Sequence, residues 1–372
     1  GTIVIAYEHG SETPDAFLAY RFSGSDRVTL EAVKGNYWHG FPIGPESGFS
    51  SIWFDLLSSR RDLDGAASLY RRFVLDHQSP NRESRVPYIF YNTWNYQERN
   101  HAWNGRPYLE SMNEARMLRE IDVAHQTGID VFVIDTGWYE KTGDWAVSTE
   151  RFPRGLAPIR ERIESYGMKL GLWFSPTQAA LSSRAVREYG DCVMTRGGER
   201  PEPRRVWETE ESHGMCLVSR YWEAFADELI RCHQELGVTY FKWDAIGQYG
   251  CDDPNHEHGS EMNTPEERSE AYAFRQVIYM SRIVDRLCTA CPDAIVDFDI
   301  TEAGRSVGLA FLASGKFFLI NNGPYFRSFD LPHYDARAMV STEGGQAIAA
   351  ELEDTLRYDF GMGSNVMAYP GP

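Results

Sequence analysis

From Val86 onward the chain alternates short apolar runs with longer stretches whose apolar residues recur every three or four positions. The runs YIFYNTW, DVFVIDTGW, KLGLWFSP, TYFKWDA, AIVDFDI, KFFLINN and NVMAYP read as strands. Between them, NEARMLREIDVAHQTG, RYWEAFADELIRCHQELG and EAYAFRQVIYMSRIVDRLCTA read as amphipathic helices, the first two stopped by Gly128 and Gly237. Strand and helix in alternation predict a parallel α/β sheet. A (β/α)8 TIM-type barrel fits best, with a doubly wound sheet as the fallback. Seven runs fall one short of a closed barrel, and the last ends at Pro370 with the chain stopping at Pro372, so the barrel is expected to be incomplete in this chain.

Upstream of about Leu75 the pattern differs. Alternating runs such as FLAYRFSG and SIWFDLL, separated by Gly, Ser and Pro, predict strands of a β-sandwich. The expected organisation is therefore the end of an N-terminal β-sandwich with its linker over residues 1–80, then a barrel domain over 81–372.

Composition narrows the partners. A hydrophobic fraction of 42% over 372 residues supplies a large core. The formal net charge of −17 repels phosphate backbones, which argues against nucleic acid, while 13% aromatic residues offer flat faces that suit the C–H surfaces of sugars. No apolar run of about 18 residues marks a membrane span. The six cysteines read as free thiols in a chain too large to need staples, which leans toward the cytoplasm; the chain starts at Gly1 rather than Met, which leaves the compartment open.

In a parallel barrel the chemistry sits at the C-terminal ends of the strands. Those ends carry Asn92, Trp94 and Asn95, then Asp135 and Trp138, then Trp173, then Lys242, Trp243 and Asp244, then Asp297 and Asp299 with Glu302 beyond, then Asn321 and Asn322. Carboxylates, amides, a cation and indoles at one mouth are what a sugar pocket needs. Strand alternation puts Lys242 and Asp244 on one side and Trp243 on the other. An ammonium beside a carboxylate favours its ionised form, which suits a nucleophile on an anomeric carbon; a structural ion pair at a strand end is the plain alternative.

The ordered series VIDTGWYEKTGDW, RFPRGLAPIRERIESYGMKLGLWFSP and YFKWD resembles the α-galactosidases of glycoside hydrolase family 36, in the clan that includes melibiases. The resemblance covers roughly Val86 to Asn322, and LYRRFVLDHQSP looks like the family's linker from sandwich to barrel. It implies a retaining glycosidase that acts on α-linked sugars without a metal or other cofactor, through a covalent glycosyl-enzyme on Asp244. Lys242 matches the lysine that bonds sugar hydroxyls, and Asp135 one of the acidic pair that holds the hydroxyls at C4 and C6. Trp138, Asp144, Trp145 and Trp173 fall on positions lining the same pocket, and Trp243 and Arg305 are counted with them. The expected partner is an oligosaccharide or glycoside. Because the family often assembles into oligomers, a homo-oligomer is carried as an option.

Three departures from the family pattern matter. Thr136 stands where the second acid of the pair would be, which puts galactose specificity in question. The family's Cys and Gly-rich run is replaced by DFDITEAGR, with Asp299 roughly in the place of the Cys. Counting on from Gly304 and Arg305, the general acid falls on Asn321, and an amide cannot donate a proton as a carboxylic acid does. Either the acid has moved to Asp299 or Glu302, with Asp297 able to raise a neighbour's pKa by repulsion, or the chain is a catalytically silent carbohydrate-binding homologue. The plain alternative for Asp297 is a loop cap or a partner of Arg305.

CDDPNHEHG, directly downstream of Asp244, offers Cys251, Asp252, Asp253, His256 and His258 as metal ligands. It lacks a recognised zinc spacing and reads as ordinary turn chemistry, so no metal is assigned; a metal-dependent hydrolase built on Asp244 and this loop is the weakest reading. ERPEPRR reads as a solvated polar loop, and Tyr221 and Trp222 as core.

Overall fold

The computed structural model describes residues 1–8, 18–23, 27–32, 39–45, 53–78, 88–244, 247, 250–299 and 317–320. The strands are β1 (Thr2–Glu8), β2 (Leu18–Ser23), β3 (Arg27–Ala32), β4 (Trp53–Ser59), β5 (Phe90–Asn92), β6 (Val131–Ile134), β7 (Lys169–Phe174), β8 (Gln178–Ala180), β9 (Arg204–Arg205), β10 (Glu211–Gly214), β11 (Tyr240–Trp243), β12 (Ile295–Asp299) and β13 (Phe317–Ile320). The helices are α1 (Leu63–Phe73), α2 (Trp94–Asn104), α3 (Glu114–Gln126), α4 (Ala157–Ser165), α5 (Arg184–Glu188), α6 (Tyr221–Leu236) and α7 (Pro265–Ala290).

Six strands form one parallel sheet in the order β5, β6, β7, β11, β12, β13. Each new strand joins the same edge, so the order never reverses as it would at the switch point of a doubly wound sheet. Burial agrees. Phe132, Ile134, Leu170, Leu172, Phe174, Phe241, Trp243 and Val296 share one core with apolar residues of α3, α4, α6 and α7, while Phe90, Val131, Val133, Tyr240 and Ile295 form a separate small core. Helices cover one face and strand side chains fill the other, which is barrel-like layering. The described strands do not close the sheet. The run NVMAYP lies outside the described residues.

Gly171 lets the inner face close up. A Cβ there would stand 2.8 Å from Val133 Cγ2 and 3.2 Å from Tyr240 Cδ1, so side chains of β6 and β11 meet across β7 only because that strand has none at this point.

Local signals set the helices. Asn113 caps α3 by accepting from the Arg116 amide at 3.0 Å, and Gly237 ends α6 in the left-handed region at φ 75°. Helix α7 begins earlier than its apolar pattern predicts. Thr264 and Glu267 form a capping box around Pro265, the first helical residue, so a polar first turn extends it.

One feature was not expected. A small antiparallel sheet, β8–β10–β9, follows β7 and takes in part of the ERPEPRR loop. Upstream, the N-terminal strands form antiparallel pairs, β1 with β4 and β2 with β3, and α1 follows β4 with Tyr70 donating to Asp55 at 2.8 Å. All six cysteines carry free thiols, and no described helix is long and apolar enough to cross a membrane.

Candidate functional site

The sheet register assembles the site. Lys242 lies opposite Trp173 on β7 and opposite Asp297 on β12, and Ile134, next to Asp135, pairs with Leu172, next to Trp173. Asp135, Trp173, Lys242 and Asp297 therefore stand at one level. Asp244 follows the last residue of β11, its amide donating to the Phe174 carbonyl at 3.0 Å.

Lys242 Nζ donates to Asp135 Oδ2 at 2.8 Å, both side chains being 2% exposed. The ion pair spans β7 between its two neighbours. Asp135 is held further by its own backbone, whose amide donates to Thr93 Oγ1, and its Oδ1 accepts from the Thr136 amide at 2.8 Å. The Asp244 carboxylate, part-buried, accepts from Trp173 Nε1 at 2.9 Å. An indole donor at this distance aims that carboxylate.

Behind the carboxylates stands a packed aromatic block. Trp138 donates its indole N–H to the Trp173 carbonyl at 2.8 Å, Trp138 and Trp145 stack with centroids 6.1 Å apart, and Tyr139 stacks on Trp173 at 5.8 Å. Trp145 has a left-handed backbone, φ 47°, and its indole nitrogen is buried without a hydrogen-bond partner. The structure places Trp138 and Trp145 in the core with no exposed surface.

Thr136 has its hydroxyl bonded to Tyr139 Oη at 2.8 Å. Burial pushes the Tyr139 phenol well up, against the Thr136 hydrogen bond, with the charges of Asp135 and then Asp244 adding to the rise, so it stays protonated. Sequence reasoning passed over Tyr139; its position directly after Trp138 was the available signal.

Other expected site residues fall elsewhere. Trp243 packs in the helix-side core, edge-on to Phe225 of α6 at 5.7 Å, as strand alternation requires of the residue between Lys242 and Asp244. Asp144 accepts from the Arg184 amide at the start of α5, at 2.6 Å. Its neighbours Gly143 and Trp145 line a cavity of about 300 Å³ between α5 and α6, on the helix side. Asp297 is fully buried and accepts from Tyr240 Oη at 2.8 Å. Asp299 is the last residue of β12, paired with Ile320. Glu302, Arg305 and Asn321 lie outside the described residues.

A one-sided parallel α/β sheet with an ion pair, an indole-held carboxylate and buried aromatics gathered at the strand C-termini is the placement that barrel-like folds give their sites. The comparisons agree: the melibiase family matches residues 65–309, and the chain belongs to that family. It is 27% identical over 211 residues to α-galactosidase 1 of Pediococcus pentosaceus, covering 54% of this chain and 27% of the relative. Over 165 residues it is 27% identical to the A type blood α-D-galactosamine galactosaminidase of Flavonifractor plautii, covering 42% of this chain and 15% of the relative. Its fold is similar to that of the family 36 α-galactosidase AgaA of Geobacillus stearothermophilus, with TM-score 0.54, 19% identity, and 79% of this chain and 39% of that one covered. The chain spans about a quarter of the length of the first curated relatives it matches.

Proposed function

We propose that this chain carries the catalytic face of a retaining glycoside hydrolase for α-linked galactoside-type sugars. The observation that carries the reading is Asp244, held by the Trp173 indole at 2.9 Å beside the buried Lys242–Asp135 pair. A carboxylate steadied by a neutral donor at a strand end keeps its aim, as a nucleophile must. The family, the names of its relatives and AgaA structures solved with stachyose and raffinose support the substrate class.

In this reading an Asp244 oxygen bonds to the anomeric carbon as the glycosidic C–O bond breaks. Asp299 or Glu302 gives its proton to the departing oxygen, then takes one from the water that displaces Asp244, and the sugar leaves with retained configuration. Lys242 and Asp135 bind ring hydroxyls, and the aromatic block backs the sugar. The parallel sheet belongs to a (β/α)8 barrel over 81–372, preceded over 1–80 by the end of a β-sandwich.

The second reading, a silent carbohydrate-binding homologue, rests on Asn321 standing where the resemblance puts the general acid. Asp244→Ala in the full-length protein should abolish release of p-nitrophenol from p-nitrophenyl α-galactoside while leaving the circular dichroism spectrum unchanged; normal turnover by that variant ends the nucleophile assignment. Asp299→Asn and Glu302→Gln then decide the acid. If the silent reading holds, the unmodified protein binds galactosides without turnover, and Asn321→Asp raises activity.

A further inference from the structure

Downstream of Asp244 and before α6, four side chains converge that neither the family resemblance nor the mechanism uses. Cys216 precedes α6, and Cys251, His256 and His258 lie in the segment between β11 and α7. One sulfur or ring nitrogen from each lies within 4.8 Å of the other three. All four residues are buried, Cys216 and His258 completely. Cys251 Sγ is 3.2 Å from His256 Nδ1.

The hydrogen bonds of the two rings show which nitrogens face inward. His256 Nε2 lies 2.8 Å from the Asp191 carbonyl, and His258 Nδ1 lies 3.1 Å from the Arg268 carbonyl. A carbonyl only accepts, so in each neutral ring that nitrogen carries the proton and the other holds the lone pair. The lone pairs are thus on His256 Nδ1, at Cys251, and on His258 Nε2, which is buried with no hydrogen-bond partner. Backbone carbonyls that fix the tautomer and orientation of ligating histidines are the usual outer shell of a metal site.

We propose that Cys216, Cys251, His256 and His258 bind a structural zinc ion. Two thiolates and two imidazoles are a closed zinc set, and the geometry needs only modest contraction. Zn–S near 2.3 Å and Zn–N near 2.0–2.1 Å put tetrahedral ligand atoms about 3.3–3.8 Å apart. Charge also balances. Two thiolates offset the divalent ion, leaving a neutral centre, whereas two bare thiolates in this interior would have no compensation.

The ion would fasten the segment downstream of β11 to the start of α6. That segment is also held by Arg268, whose guanidinium donates to the carbonyls of Asp252, Ser260 and Asn263, and by the amides of Asp252 and Glu257, which donate to the Thr195 and Val218 carbonyls at 3.0 Å. Tyr272 of α7 packs edge-on against His258 at 5.4 Å and closes one side. The spacing, a Cys 35 residues upstream of a Cys-x4-His-x-His run, is not a zinc-finger pattern, which is why the sequence alone led to no metal at Cys251, His256 and His258 and did not connect them with Cys216.

Metal analysis of the untagged, full-length protein after dialysis against zinc-containing and then metal-free buffer should find about one zinc per chain. Cys216→Ala and His258→Ala should each weaken retention at least about 100-fold, since even outer-shell changes cost 10–100-fold. Substoichiometric zinc, another metal in its place, or retention unchanged in the variants overturns the proposal. Should the variants fail to fold, Co²⁺ added to the zinc-stripped unmodified protein decides the question. Intense thiolate-to-cobalt charge-transfer absorption at one equivalent supports the site; its absence, or a Cys216–Cys251 disulfide found by mass spectrometry, overturns it.

Discussion

Lys242 on β11 reaches past β7 to Asp135 at the end of β6 and donates to it at 2.8 Å, with 2% of either side chain exposed. The pair is the most deeply buried charge contact of the site. Removing one partner leaves the other ion in a medium that cannot solvate it, which costs far more than the intact pair contributes.

Lys242→Met is therefore expected to destabilise the protein by roughly 3–5 kcal/mol in urea denaturation, by leaving Asp135 uncompensated. Adding Asp135→Leu should recover a large part of that loss. If the double variant is as unstable as the sum of the two single ones, the ion pair is not the cause.

Gly171→Ala puts a methyl 2.8 Å from Val133 Cγ2, in the middle of the inner sheet face. Overpacking of this kind costs about 1–3 kcal/mol. Val133→Ala in the same chain should relieve it, and the recovery is read as a rise in the thermal midpoint of the double variant over Gly171→Ala alone.

Thr264 caps α7 reciprocally with Glu267. Thr264→Ala should cost about 0.5–2 kcal/mol. It should also speed amide exchange in the segment tied down by Arg268, one turn into the same helix. Thr264→Ser keeps the hydroxyl and should restore slow exchange.

Glu120 on α3 accepts from Tyr91 at 2.8 Å and pairs with Arg116, yet burial outweighs these contacts and raises its pKa from the ordinary 4.5. The folded state thus holds this proton more tightly than the unfolded chain. Its contribution to stability is complete below pH 4.5 and is lost as pH rises through the folded value. The difference in unfolding free energy between the unmodified protein and Glu120→Gln should therefore shift against the unmodified protein as pH rises from 4 toward neutrality; a pH-independent difference would show that the Glu120 carboxyl does not titrate differently on folding.

Much of the framework could be read from local pattern. Strand runs at period two and helices at three-to-four spacing located β5, β6, β7, β11, β12 and β13 and most of α3, α6 and α7, because both periods reflect which face of a single element is buried. The order KLGLWF, YFKWD and DFD likewise placed Trp173, Lys242, Asp244 and Asp297 at strand ends. Alternation alone put Trp243 on the helix side, although its neighbours in sequence serve the other face. What could not be read locally was which residues meet. Lys242 and Asp135 are 107 positions apart and pair because β7 lies between their strands in register. The start of α7, hidden in a polar turn, was decided by a capping box with no apolar signal. Cys216 joins Cys251, His256 and His258 because the chain connection before α6 folds back on the segment downstream of β11. Periodicity belongs to one element and survives in one dimension; contacts between elements depend on sheet order and register, which only the folded chain settles.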